Sequence, residues 1–355
     1  MNSSLPWARQ TLLAAVATLA LVPAAWALKY AEPAHDMKPD PEIPVWRPAP
    51  LELEPEESLA IVGADIMDEM TLGWVKMMRH AYPKLSVTME ARASGTGGPG
   101  LTAGMSDLAP VGRELLPAEH EAFVAKFGYE PTAIRVATGS VASLGKTAAS
   151  IIMVDADNPI ECLSLGQLDG IYSSERRRGG PAIRTWGDLG LKGEWARRPI
   201  HLYGLRRPNG IEQYFQQAVL LGGPYRDDIE FVKGKGFTHA FNVAADLMKE
   251  RPGGLTYALL ANVQPNTRVV PLSAENGGNC VLPTTKTIYD HSYPLSRYVY
   301  VFVNKAPGKP VEPKIKEFLR AILSWEGQLQ VAKDRVFLPL QPEVVREELR
   351  KVDAL

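Results

Sequence analysis

At 355 residues, 45% hydrophobic and 22% charged, the chain has the composition of a globular protein and the length of about two domains, which excludes a disordered or low-complexity architecture. A formal net charge of −1 provides no electrostatic footprint for nucleic acid, so no nucleic-acid partner is expected.

Taken in chain order, the sequence opens on a leader. Arg9 precedes an apolar run from Leu12 to Val22 and the small-residue site Ala25-Trp26-Ala27, the pattern of a cleaved secretory signal peptide over residues 1–27. The alternative, a membrane anchor, meets the difficulty that the apolar run is shorter than the roughly 20 residues that span a bilayer. Cleavage removes one charge, Arg9, and takes the net charge from −1 to −2. An exported protein that acts as a monomer is expected. Residues 28–57 are punctuated by Pro33, Pro39, Pro41, Pro44, Pro48, Pro50 and Pro55, which exclude a helix and predict an extended arm. The globular body is expected to begin near Ser58.

From there strand and helix signals alternate. Leu59–Gly63 reads as a strand. Asp65 is the expected N-cap of a helix through His80, with Met67, Met70, Trp74, Met77 and Met78 near one face, a stripe that reads as core. Leu85–Glu90 alternates as a strand, a Ser94–Gly98 turn and a short helix near 99–104 follow, and Leu108–Val111 is the next strand. This order argues for an α/β fold with a largely parallel sheet. Further helices are predicted near 117–128, 165–171, 210–221 and 239–249, and from Pro313 and Glu326. Further strands are predicted at 133–137, 150–154, 200–203 and 297–303. Cys162 and Cys280 permit a disulfide in an exported protein. Their spacing alone does not separate a bond from two buried thiols.

The candidate functional residues cluster in one stretch, 91–116. Ser94, Gly95 and Thr96 stand just before a predicted helix, and Gly112-Arg113 follows the next strand. Unpaired N–H groups, a glycine that admits close approach, two hydroxyls and a cation suit an oxyanion. An ordinary glycine-rich turn is the competing reading of the turn alone. The segment Gly139–Thr147 imitates a nucleotide-binding loop but has five residues where that motif has four before its Gly-Lys. The six histidines show no metal-ligand spacing, and no nucleophile elbow is present. No catalytic residue, metal or cofactor is therefore expected.

In this order the motifs resemble the periplasmic phosphate-binding proteins of ABC transporters, the PstS-like substrate-binding proteins. The resemblance runs from about Asp40 to Val345. It is carried by Ile61–Asp65, Ala93–Thr96, Asp107–Arg113, Asp157–Ile160, Leu168–Ser173, Thr185–Gly190, Tyr293–Arg297 and Tyr300–Lys305. It implies a two-lobed periplasmic-binding-protein fold of α/β class, type II-like, with a ligand cleft between lobes joined by hinge strands. Lobe one would comprise 58–152 and 297–355, and lobe two 153–296. The implied function is capture of an oxyanion, inorganic phosphate first, for delivery to an inner-membrane ABC permease, with no enzymatic activity. Another oxyanion or an organophosphate, or a non-transport envelope scaffold, are the alternatives.

The resemblance places the ligand among Ile66, Met67, Ser94, Gly95, Thr96, Gly112, Arg113, Arg206, Arg207, Asn209, Gly210 and Ile211. Several of these depart from the family pattern. Ile66 stands where the family usually has Thr, Gly112 where it has Ser or Asp, and Asn209 and Ile211 where it has Ser and Thr around Gly210. The family's second-lobe arginine falls at Leu205, with Arg206 and Arg207 beside it. Each charge-assisted hydrogen bond lost to a buried anion costs about 1.5–3 kcal/mol, a loss that backbone N–H groups and the extra arginine would partly offset, with phosphate still the first ligand expected.

Overall fold

The computed structural model describes residues 36–355 except Ser94, Leu144, Gly145, Pro208, Asp334 and the side chain of Phe237. The expected leader, and the arm before Asp36, lie outside the described residues.

Lobe one starts with β1 (Ser58–Ala64), whose Leu59 and Ile61 are buried. β1 pairs in parallel with β2 (Ser86–Arg92) and β3 (Leu108–Val111). Between β1 and β2 lies α1 (Asp68–Ala81), which buries Met70, Trp74, Val75 and Met78. The methionine stripe is core, as its spacing predicts. The start of the helix differs from the expectation: Asp65 opens a 3-10 turn, Asp65–Met67, and the Asp65 carboxylate accepts the Ile66 N–H at 2.9 Å. A short α2 (Gly97–Ala103) ends at Gly104, φ 80°, a left-handed stop that favours glycine. α3 (Pro117–Phe127), with proline in its first turn, and β4 (Thr132–Thr138) complete the first pass.

The chain then crosses to lobe two. Its elements are β5 (Ser150–Asp155), β6 (Leu163–Ser164), α4 (Leu165–Tyr172), β7 (His201–Leu205), α5 (Gly210–Leu220) and β8 (Glu230–Val232). They continue with α6 (Phe237–Glu250), β9 (Gly254–Leu259), β10 (Thr267–Val269), β11 (Leu272–Ser273) and α7 (Thr285–Tyr289). The return crossing leads into β12 (Tyr298–Val303), followed by α8 (Pro313–Leu323), α9 (Trp325–Lys333) and α10 (Pro342–Asp353), which pack back on lobe one.

Two five-stranded sheets result, ordered β2-β1-β3-β12-β4 and β10-β5-β9-β7-β8. Each is mixed rather than largely parallel. β12 returns from the other lobe and slots antiparallel between β3 and β4, and β5 runs antiparallel to both β9 and β10. The two crossings run side by side, with Gly139 N donating to Arg297 O at 2.8 Å and Tyr293 Oη to Ser150 O at 2.9 Å. Each lobe buries its own apolar core.

The described part of the proline-rich arm, 36–57, contains no helix or strand, and it is packed. Ile43 is buried in the lobe-one core, and Trp325 N donates to Pro44 O at 2.8 Å. Trp46 Nε1 and Ala49 N donate to Glu317 Oε1 of α8 at 2.9 and 3.1 Å. The globular body thus begins upstream of Ser58. Cys162 and Cys280 form a disulfide across 118 residues of sequence, beside the small β6–β11 pair.

Candidate functional site

Four loops follow the C-terminal ends of parallel strands: 65–67 after β1, 93–96 after β2, 112–116 after β3 and 206–210 after β7. The crevice outside such strand ends is where α/β sheets place ligands. Arg113 and Gly210 bring the two lobes together there. A Cβ on Gly210 would stand 3.0 Å from Arg113 Cδ, so the lobes approach this closely because residue 210 has no side chain.

The Arg113 guanidinium is largely buried and forks onto Glu119 of α3, at 2.7 and 2.8 Å, with a further bond to Glu114 O at 2.9 Å. Glu119 also accepts Leu116 N at 2.8 Å, capping the start of α3. A bidentate pair fixes the plane of the guanidinium as well as its charge. Next to it Glu114 pairs with Arg297 of the return crossing at 3.0 Å, and Arg297 lies over the ring of Tyr214 on α5, 4.1 Å from its centroid. A chain of charge and ring contacts therefore runs from lobe one through the hinge to lobe two.

The remaining predicted residues divide. Gly95 and Thr96 lie in the turn between β2 and α2, where the Thr96 hydroxyl donates to Ala93 O at 2.8 Å and to Gly63 O of β1 at 3.2 Å. Ser94 lies outside the described residues. Met67 is fully buried in the lobe-one core and is not a cleft residue. Ile211 is turned into the lobe-two core. Asn209 caps α5: its Oδ1 accepts Ile211 N at 3.0 Å and Glu212 N at 2.9 Å, and its Nδ2 donates to Arg206 O at 2.9 Å. The donors at that helix end are thereby engaged by the protein. Arg207 stacks over Phe231 and Tyr225, 4.7 and 5.4 Å from their centroids, and Arg206 is exposed.

Two departures prove to be one feature. The Cδ1 of Ile66 occupies the place where a Cβ on Gly112 would stand. The missing side chain at 112 and the bulky one at 66 fill a single volume.

Sequence reasoning missed Lys146 and Thr147. The crossing segment brings both to this floor: Lys146 Nζ donates to Ile66 O at 2.8 Å and Thr147 Oγ1 to Gly112 O at 2.8 Å. The only signal was the imperfect Gly-Lys-Thr motif, which reads as a nucleotide loop. Sequence reasoning also missed Glu212, buried in the first turn of α5, where burial raises its carboxyl to about 7 against the opposing pull of Arg207. Among the described residues no group of acidic, histidine or cysteine side chains is arranged to hold a metal.

A family model described as the PBP superfamily domain matches residues 51–326. The phosphate-binding protein PstS of Pseudomonas aeruginosa is 32% identical over 296 residues, covering 83% of this chain and 87% of that protein. PstS of Staphylococcus haemolyticus is 24% identical over 288 residues, 81% of each chain. The crystal structure of PstS from Borrelia burgdorferi covers 81% of this chain and 100% of its own, with a TM-score of 0.51 at 17% identity, a likeness of fold.

Proposed function

This chain belongs to the PBP superfamily, among the PstS-like substrate-binding proteins of ABC transporters, and from that membership we propose that it is an exported protein that captures an oxyanion of the phosphate class in its interlobe cleft and presents it to an inner-membrane permease. The family is one of binding proteins, not enzymes. The curated relatives are phosphate-binding, so inorganic phosphate and its substituted relatives are the ligands to test.

The observation that supports this reading best is the meeting of Arg113 and Gly210. It brings a cation from lobe one against the start of α5 in lobe two, at the strand ends where the crossings converge. A ligand held there touches both lobes, and its binding energy can shift a hinge equilibrium between open and closed forms. Among the described residues no helix is long and apolar enough to cross a membrane.

Titration of the exported chain, stripped of bound anion by unfolding and refolding, tests the reading. Inorganic phosphate, arsenate and small phosphate or sulfonate esters would be run in parallel, with Arg113→Gln as the control. Binding of at least one anion that Arg113→Gln loses is expected. A folded wild-type chain that gives no heat with any of them overturns the proposal.

A further inference from the structure

The oxyanion reading leaves the chemistry of the ligand open, and the floor of the cleft narrows it. Beside Arg113 the floor is formed by Ile66, whose Cδ1 fills the place of a side chain at 112, with Thr147 Oγ1 3.0 Å from that same point. Ile66 is only half-buried, so a branched alkyl surface remains where a hydroxyl would otherwise point.

The described hydroxyl and amide side chains around this floor, Thr147, Thr96 and Asn209, already serve the protein. Thr147 donates to Gly112 O, Thr96 to Ala93 O and Gly63 O, and Asn209 takes the first N–H groups of α5. The charges nearly cancel as well. Arg113 is paired with Glu119, and Glu114 with Arg297. Lys146, at the Ile66 carbonyl and 6.0 Å from the Phe337 ring centroid, meets no carboxylate among the described residues. Among the described residues the floor therefore presents Lys146 as a cation without a carboxylate partner, few spare hydroxyls and an apolar wall, with Arg206 exposed on the loop after β7.

A fully oxygenated dianion brings more charge and more lone pairs than this floor satisfies, and each unpaired oxygen is costly once buried. An alkyl substituent needs no donor and is favoured on an apolar surface. Resting on the oxyanion reading above, we infer that the cleft selects a tetrahedral monoanion carrying apolar substituents, the chemistry shared by dialkyl phosphates and alkylsulfonates, over inorganic phosphate. Lys146 balances its charge and Ile66 covers its substituent.

The test is calorimetric titration of the chain purified after export with dimethyl phosphate, methanesulfonate, inorganic phosphate and sulfate at pH 7.5. At least one of the two monoanions is expected to bind tenfold or more tightly than phosphate and sulfate, and the comparison between the two distinguishes a phosphodiester from a sulfonate. Lys146→Gln should lose that binding tenfold or more, Lys146→Arg should retain it, and Ile66→Thr with Gly112→Ser should invert the order in favour of phosphate. Gly112→Ser alone places its Cβ against Ile66 and should lower the melting temperature without improving phosphate binding. A preference of less than tenfold, or any preference for phosphate in the wild-type chain, overturns the inference and leaves the oxyanion reading standing. No heat from any of the four, in a chain that still melts cooperatively, overturns that reading itself.

Discussion

The Cδ of Arg113 lies 3.0 Å from the point where a Cβ on Gly210 would stand. These residues are far apart in sequence and come from different lobes, so the contact measures how closely the cleft is shut. A methyl group at 210 presses on a flexible stem that has some room to give, whereas a branched side chain also meets the Glu119 fork that fixes Arg113 in place. Gly210→Val should therefore hold the lobes apart and weaken anion binding about tenfold or more, while melting within a few degrees of the wild type. Scattering in solution checks the first point, through a larger radius of gyration with ligand present. An unchanged affinity would show that the closed cleft does not depend on this contact.

A second prediction concerns pH. Burial raises the Glu212 carboxyl from its ordinary 4.5 to about 7 and that of Asp155 to about 6, the latter despite N–H donors from Gly253 and Gly254. A carboxyl whose folded pKa is raised stabilises the protein most below its unfolded value, and that contribution is lost as pH rises through the folded value. Stability should thus fall by roughly 2–4 kcal/mol for Glu212 between about pH 4.5 and about 7, then level off. His291 has the opposite sign. Burial and the nearby Arg135 lower it from 6.5 to about 4, so its contribution is present above 6.5 and lost as pH falls through about 4. Denaturant unfolding of Glu212→Gln across this range separates them: the variant should lose the part of the decline that extends from about pH 6 to about pH 7, keep the part that Asp155 contributes up to about pH 6, and keep the acid-side loss.

The fold was legible wherever period and punctuation agreed. β1, β2 and β3 could be read from apolar runs bounded by turns, and the methionine face of α1 from its helical spacing, because both patterns report burial directly. β9 was not read. Its Gly254–Leu259 run is short, follows Pro252-Gly253 and becomes a central strand only through partners that are distant in sequence, β5 and β7. The antiparallel insertion of β12 escaped for the same reason, since strand direction depends on where the chain re-enters the first lobe. At the site, Arg113 and Gly210 were legible as motif positions. Lys146 was not, because its approach to Ile66 O depends on the path of the crossing segment. Met67 and Ile211 were misplaced because neighbours in sequence point to opposite sides of a turn or helix end.

The disulfide supplies a third prediction. Cys162–Cys280 closes 118 residues, and a cross-link over a loop of that length restricts the unfolded chain strongly, by about 2–4 kcal/mol in typical cases. Cys280 is exposed, so a small reductant reaches the bond. Reduction, or Cys162→Ser with Cys280→Ser, should lower the midpoint of lobe-two unfolding. The site loops 65–67, 93–96 and 112–116 stand on the other sheet, and the fourth, 206–210, follows β7 in the five-stranded lobe-two sheet rather than the β6–β11 pair beside the bond, so anion affinity at 25 °C should change by less than about threefold. A large loss of affinity with little loss of stability would show that the bond holds the cleft rather than the lobe.

The arm gives the fourth. Glu317 is buried, and its Oε1 accepts Trp46 Nε1, Ala49 N and the Tyr82 hydroxyl. Two of these three donors come from the arm. Deleting the arm to Ser58 leaves a buried carboxylate with a single side-chain donor and uncovers the apolar surface under Ile43. Breaking a buried hydrogen-bonded charge costs about 3–5 kcal/mol when one side is removed. Truncation should therefore destabilise lobe one severely, and Trp46→Phe, which keeps most of the ring and loses the donor, should cost about 1–3 kcal/mol. Replacing the carboxylate by an amide in Glu317→Gln halves its acceptor capacity but removes the charge, so Trp46→Phe in that background should cost less than in the wild type. Denaturant midpoints for the four chains form the cycle. Equal costs in the two backgrounds would mean that the arm is held by packing alone and that Glu317 does not anchor it.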